Sequence, residues 1–166
     1  LCVTILRPRA VIGPGDPTIW PRILAALGRR RLPVVGDGHA LADFTSVENV
    51  AHACLLAMDA PVARVAGRTF NITNDEPVLL WAVLRSLCDR LHLPSPRLAL
   101  PARLVDAAAS VVEPLVALAQ RAGVVSAAAE PKLTRYACTV LSRSCVLNVD
   151  AARSMYATLP RRAPPL

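Results

Sequence analysis

Between Thr45 and Leu91 the hydrophobic period switches from helical to extended and back, and this constrains the fold more than any other feature. "TSVENVAHACLLAMDAP" begins with a T-x-x-E pattern, Thr45 and Glu48, which predicts a reciprocal N-terminal cap. Val47, Val50, Ala51, Cys54, Leu55 and Met58 follow at helical spacing and predict its apolar face. "RTFNIT" (Arg68 to Thr73) reads as a strand. It turns through "NDEP", with Asn74 or Asp75 as cap, into the helix "VLLWAVLRSLCDRL". The run "CVTIL", Cys2 to Leu6, is short, apolar and β-branched, as a strand buried on both faces would be. Strands interleaved with capped helices signal an α/β sheet and exclude a helical bundle.

The first strand stops in "ILRPRAVIGPGDP", a loop with three prolines and two glycines. Pro8 has no N–H and a fixed φ, so it stiffens the chain as the strand ends. Gly13 and Gly15 permit close approach or a positive φ. Asp16 and Pro17 then predict a helix start, N-cap followed by N1, leading into "TIWPRILAALGRR". Pro21 can delay the regular helix until its own position. "LPVVGDG" reads as a short strand closed by a glycine turn.

Hydrophobic residues make up 54% of the 166 residues and aromatics only 4%, so the core must come from Leu, Val, Ile and Ala. The net charge of +7 raises a nucleic-acid reading. Apart from "GRRR" (Gly28 to Arg31) the arginines are scattered, and no aromatics interleave with that run. It suits a solvated helix C-terminus, and no nucleic-acid partner is expected.

Five cysteines, Cys2, Cys54, Cys88, Cys138 and Cys145, form no C-x-x-C pair, and Cys54 and Cys88 fall on apolar helix faces. A reduced, intracellular protein is expected. His39, His52 and His92 lack ligand spacing, and no metal is expected. The stretch 104–129 places Arg103, Asp106, Ser110, Glu113, Gln120 and Arg121 within an arc of about 100°. It predicts an amphipathic helix broken near Pro114, with peripheral membrane contact as the competing use.

Several motifs fall in one order: "LRPRAVIGPGD", "VVGDG", "DFTSVENVAHA", then "TFNITNDEP" leading into "LW". This order resembles the C-terminal half of extended short-chain dehydrogenase/reductases, in the epimerase/dehydratase superfamily. It is most similar to the 3β-hydroxysteroid and sterol-4-carboxylate 3-dehydrogenase branch. "FNITNDEP" with Trp81 is the most specific element. "EPKLTRYACTVLSRSCVLNVDAARSMY" resembles the end of such chains, with "ATLP" in place of a Leu-Gly-Tyr turn.

The resemblance implies an α/β fold, the C-terminal part of a Rossmann-like NAD(P)-binding fold with a small α/β substrate-binding region. Residues 1–16 would form the cofactor-side strand and loop, 17–103 the substrate side, 104–129 a helical region and 130–166 the C-terminal segment. It implies NAD as cofactor, with NADP left open, and an activity on the CH–OH group of a 3β-hydroxysteroid or related apolar alcohol. Cofactor contacts carry over to Pro8, Arg9, Ala10 and Val11. Substrate contacts carry over to Thr18, Ile19, Pro33, Val35 and Ala42.

The family's Gly-rich turn and its Tyr-x-x-x-Lys proton-transfer pair do not occur here. Tyr136 and Tyr156 have no lysine four residues on, and Lys132 is the sole lysine. No catalytic residue is therefore expected in this segment, which is taken to be inactive alone, with the missing parts upstream. Ala42 stands where sugar-nucleotide enzymes of the superfamily usually carry a diphosphate-gripping Arg, which favours an apolar substrate. The resemblance also implies that Asp43 helps fix the loop preceding the capped helix, a structural role at the helix N-terminus rather than chemistry. A nucleotide-sugar epimerase or dehydratase and a non-catalytic binding module stay open as alternatives. So do homodimerisation and a cytoplasmic or membrane-peripheral location.

Overall fold

The computed structural model describes residues 2–30, 32–124, 126 and 134–156. In chain order the elements are β1 (Ile5–Pro8), β2 (Val11–Ile12), α1 (Ile19–Gly28), β3 (Val34–Val35), β4 (Leu41–Ala42), β5 (Thr45–Ser46), α2 (Val47–Asp59) and α3 (Val62–Val65). There follow β6 (Thr69–Ile72), β7 (Val78–Leu79), α4 (Leu80–Arg90), β8 (Ala99–Leu100), α5 (Ala102–Arg121), α6 (Arg135–Ser142) and α7 (Asp150–Tyr156).

The pairs β1–β6, β2–β5 and β3–β8 are all parallel. A parallel pair needs a long crossover, and each of these crossovers contains helices. The expected α/β class is what forms.

The chain divides into two compact units, Leu1–Ala25 with Asp43–Val78 and Val146–Leu166, and Ala26–Ala42 with Leu79–Cys145. In the first unit, Ala53, Val65, Phe70, Ile72, Ala152 and Met155 make the core, flanked by Leu6 and Ala60. In the second, Val35, Val105, Ala109 and Cys138 pack together with Leu100, Ala102 and Leu141. Trp81 in that unit is fully buried, and its indole Nε1–H donates to the Leu141 carbonyl at 2.9 Å. Burying so large a ring requires a partner for its one polar atom, and the α6 backbone supplies it.

Several sequence expectations are corrected. The first strand begins at Ile5 rather than Cys2 and is not buried on both faces: Val3 and Ile5 are 49% and 46% exposed. Among the described residues β1 pairs on one edge only, with β6.

The cap of α2 is Ser46, whose Oγ accepts from Asn49 N–H at 3.1 Å, and not Thr45, which lies in β5. The buried face of α2 carries Ala53 and Leu56, whereas Cys54, Leu55 and Met58 are exposed. This helix is apolar over most of its circumference, so periodicity alone does not choose its face.

Helix α4 starts at Leu80 without a side-chain cap, because Val78 and Leu79 first extend as β7. Leu80 N–H instead donates to Ala40 O at 3.0 Å. Helix α5 runs through Pro114 unbroken. The missing N–H deprives only the carbonyl of exposed Ser110, which water can satisfy. Among the described residues no helix is long and apolar enough to cross a membrane. Arg31, Lys132 and the "ATLP" and "PRRAPPL" stretches lie outside the described residues.

Candidate active site

The loop after β1 is built on one buried hydroxyl. Thr45, fully buried, accepts at Oγ1 from Arg9 N–H at 3.2 Å and lies 2.5 Å from Arg9 O and 3.0 Å from Ile72 O. Its single proton can serve only one of the two carbonyls at a time. Arg9 N–H is shared with Ile72 O at 3.3 Å, which prolongs the β1–β6 ladder by one residue. Thr45 N–H then donates to Ala10 O at 3.2 Å, and Val11 pairs with Thr45 as β2 meets β5. Pro8, Arg9, Ala10 and Val11 are thus brought together as one continuous loop, at the C-terminal end of parallel strand β1.

Ala10 lies at φ 43°, a left-handed value that a residue with a Cβ adopts only under constraint. Beyond it, Gly13 is needed for space: a Cβ there would stand 2.6 Å from Val47 Cγ1. Gly15 is needed for conformation, at φ 84°.

The chain then enters α1 through Asp16. Its Oδ1 accepts from Thr18 N–H at 2.8 Å and Ile19 N–H at 3.1 Å, and its Oδ2 from Trp20 N–H at 2.9 Å. The Trp20 and Thr18 bonds stabilise the anion most and hold its pKa down to about 2. Asp16 is therefore the expected cap, serving a helix that begins at Ile19.

Two further supports were visible in the sequence as residues but not by their partners. Asn74 Oδ1 accepts from Ser46 N–H and from Asn49 Nδ2, both at 2.8 Å, and Asn74 N–H donates to Phe44 O at 2.8 Å. The β6 end thereby fastens the start of α2. Asp43, in the loop before that helix, has a structural role. It is buried, and its Oδ2 accepts from Leu147 N–H at 2.7 Å, fixing the segment that leads to α7. Asp75, offered as a cap, has φ 62° and instead forms an ion pair with Arg153 of α7. Beside the loop, the Trp20 and Phe44 rings stack with centroids 6.2 Å apart.

The substrate-side residues divide between the two units. In the first, the Thr18 hydroxyl donates to Asp16 Oδ1 at 3.0 Å, and Ile19 opens α1 half-buried. In the second, Pro33 lines a cavity of about 480 Å³ with Leu27, Leu32, Arg30 and Arg97. Val35 packs into the core against the α5 and α6 residues, and Ala42 is buried in β4, bridged to Cys145.

The family model described as the 3-beta hydroxysteroid dehydrogenase/isomerase family matches residues 1–102, which hold the pinned loop, Thr45 and Asn74. The chain belongs to this family. Over 121 residues it is 34% identical to sterol-4-alpha-carboxylate 3-dehydrogenase, decarboxylating, of Mus musculus, covering 67% of this chain and 33% of that protein. Over 163 residues it is 30% identical to the 2-alkyl-3-oxoalkanoate reductase of Stenotrophomonas maltophilia, covering 97% of this chain and 48% of that protein. The chain thus spans about a third of the one relative and about half of the other. The crystal structure of gox2253 shares the fold with a TM-score of 0.57 at 21% identity, over 95% of this chain and 44% of that one. The fold of this 3-beta hydroxysteroid dehydrogenase/isomerase family member is accordingly the Rossmann-like α/β class implied by its motif order.

Proposed function

We propose that the full-length protein is a nicotinamide-dependent oxidoreductase that interconverts a secondary alcohol and a ketone at a carbon β to a carboxylate on an otherwise apolar substrate. NAD is the proposed cofactor. The loop Pro8 to Val11 closes over the nicotinamide, and Thr18, Ile19, Pro33, Val35 and Ala42 contribute to the substrate side. The glycine-rich turn and the Tyr–Lys pair, absent from residues 1–166, are supplied from elsewhere in the full-length chain.

The observation that carries this reading is what the two relatives' names have in common. A 3-dehydrogenase of a sterol 4-carboxylate and a reductase of a 2-alkyl-3-oxoalkanoate both act on a carbon β to a carboxylate, across an alkyl-bearing carbon. Family membership through the loop-bearing residues supports the dehydrogenase chemistry. The burial of Ala42, which offers a methyl group and no charge, supports an apolar substrate over a sugar diphosphate. The match to the reductase covers 97% of this chain against 67% for the sterol enzyme, which favours an acyclic acid as a second form of the substrate.

The test is turnover by the purified full-length protein, followed by the near-ultraviolet absorbance of reduced nicotinamide and by chromatography of the products, since epimerisation or dehydration returns the hydride and leaves no net reduced cofactor. A sterol 4-carboxylate, a 2-alkyl-3-hydroxyalkanoate and UDP-glucose are compared. Turnover of either acid is the expected result. Action on the sugar nucleotide alone, or on none of the three with cofactor bound, overturns the reading.

A further inference from the structure

The pinned loop carries a cation that forms no ion pair among the described residues, and the carboxylate oxygen Asp43 Oδ1 is likewise buried without a hydrogen-bond partner among them. Arg9 is half-buried, and its Nε is buried without a hydrogen-bond partner among the described residues. Ion pairs among those residues include His39 with Asp37, Arg135 with Asp106, and Arg153 with Asp75 and Asp150, and none of these involves Arg9. A buried guanidinium nitrogen without an acceptor is costly, and native proteins rarely leave such a donor unpaired.

The backbone around Arg9 is fixed independently of that side chain. Arg9 N–H and O both engage Thr45 Oγ1, and the next residue is held at a left-handed φ of 43°. A strained residue secured by a buried peg is the kind of conformation that persists at functional positions. It fixes the point from which the Arg9 side chain leaves the chain.

We infer that Arg9 binds the substrate carboxylate and so selects acids over neutral alcohols. This rests on the proposed function, in which the same loop faces the nicotinamide and the reacting carbon lies one carbon away from the carboxyl-bearing atom. A planar guanidinium matches a carboxylate in a two-pronged, charge-assisted arrangement, and it keeps its charge at any working pH. A neutral 3β-hydroxysteroid would draw nothing from it. The cofactor phosphates are the competing source of an anion for the same group.

The test is calorimetric titration of the full-length protein, as wild type, Arg9→Gln and Arg9→Lys. The ligands are a 2-alkyl-3-hydroxyalkanoate, its methyl ester and, separately, NAD. The expected result is that wild type binds the acid roughly ten- to a hundredfold tighter than the ester. In Arg9→Gln that ratio falls to near one, and Arg9→Lys recovers part of it. The inference is overturned if wild type binds acid and ester alike, if Arg9→Gln weakens both equally, or if its main loss is in NAD binding. Acid preference without any hydride exchange refutes the oxidoreductase reading and leaves the assignment of Arg9 standing. Turnover without acid preference does the reverse.

Discussion

Thr45 concentrates more of the site than any other single residue, since one hydroxyl touches the strand end at Ile72 and both backbone groups of Arg9. Replacing it by Val keeps the volume and takes the hydroxyl away from Arg9 O, while Arg9 N–H and Ile72 O keep only their 3.3 Å bond to each other. The expected loss is about 1–3 kcal/mol in urea unfolding, with Thr45→Ser recovering most of it. Gly13→Ala drives a methyl to 2.6 Å from Val47 Cγ1, and the same measurement should show an overpacking loss of about 1–3 kcal/mol. Asp16 gives a pH signature. Its folded pKa of about 2 lies below the ordinary 3.8, so the stability from its charge is complete above 3.8 and disappears as pH falls towards 2. Asn caps about as well as Asp, so an Asp16→Asn variant isolates the charge. Its melting temperature should sit a constant interval below wild type at neutral pH and converge with it in that acid window. The Asp16 cap was legible because its partners are two to four residues away. The Thr45 peg was not, because Arg9 and Ile72 lie 36 and 27 residues distant.

Among the elements, existence was easier to read than orientation. Helix α2 was found where its capping pattern and apolar spacing put it, but two adjacent hydroxyls, Thr45 and Ser46, competed for the cap. The parallel pairing of Thr45 with Val11 removed the first from contention. The apolar face was misplaced for a similar reason: Ala53 and Leu56 point to the core, while the longer series through Leu55 and Met58 does not. Pro114 misled in the opposite direction, since a proline on an exposed helix face spares neighbouring core contacts. Cysteine reactivity follows the corrected faces. Cys54 is exposed, whereas Cys88 on α4 is buried and burial, aided by Asp106, pushes the Cys138 thiol up. Limited alkylation near neutral pH, read by peptide mass, should label Cys2 and Cys54 first and Cys88 and Cys138 only on unfolding.

At the scale of the molecule, the order of short motifs identified the α/β class and the family, because each motif is a turn or a strand end whose chemistry is local. The division into two units was not legible. It separates residues that the resemblance assigned to one substrate side, and it depends on contacts far apart in sequence. The loop from Pro8 to Val11 was legible as a break after the first strand. The buried Arg9 nitrogen, which gives that loop its proposed selectivity, was not, because a partner's absence becomes visible only in three dimensions. The central claim is that the full-length protein moves hydride between the carbinol carbon of a 3-hydroxy acid and a nicotinamide. It is tested most directly with a substrate deuterated at that carbon, by weighing the reduced cofactor after turnover. The account predicts one deuterium in the reduced nicotinamide and a 3-oxo acid, or its decarboxylated ketone, in equal amount. Consumption of the substrate with an unlabelled cofactor would contradict it.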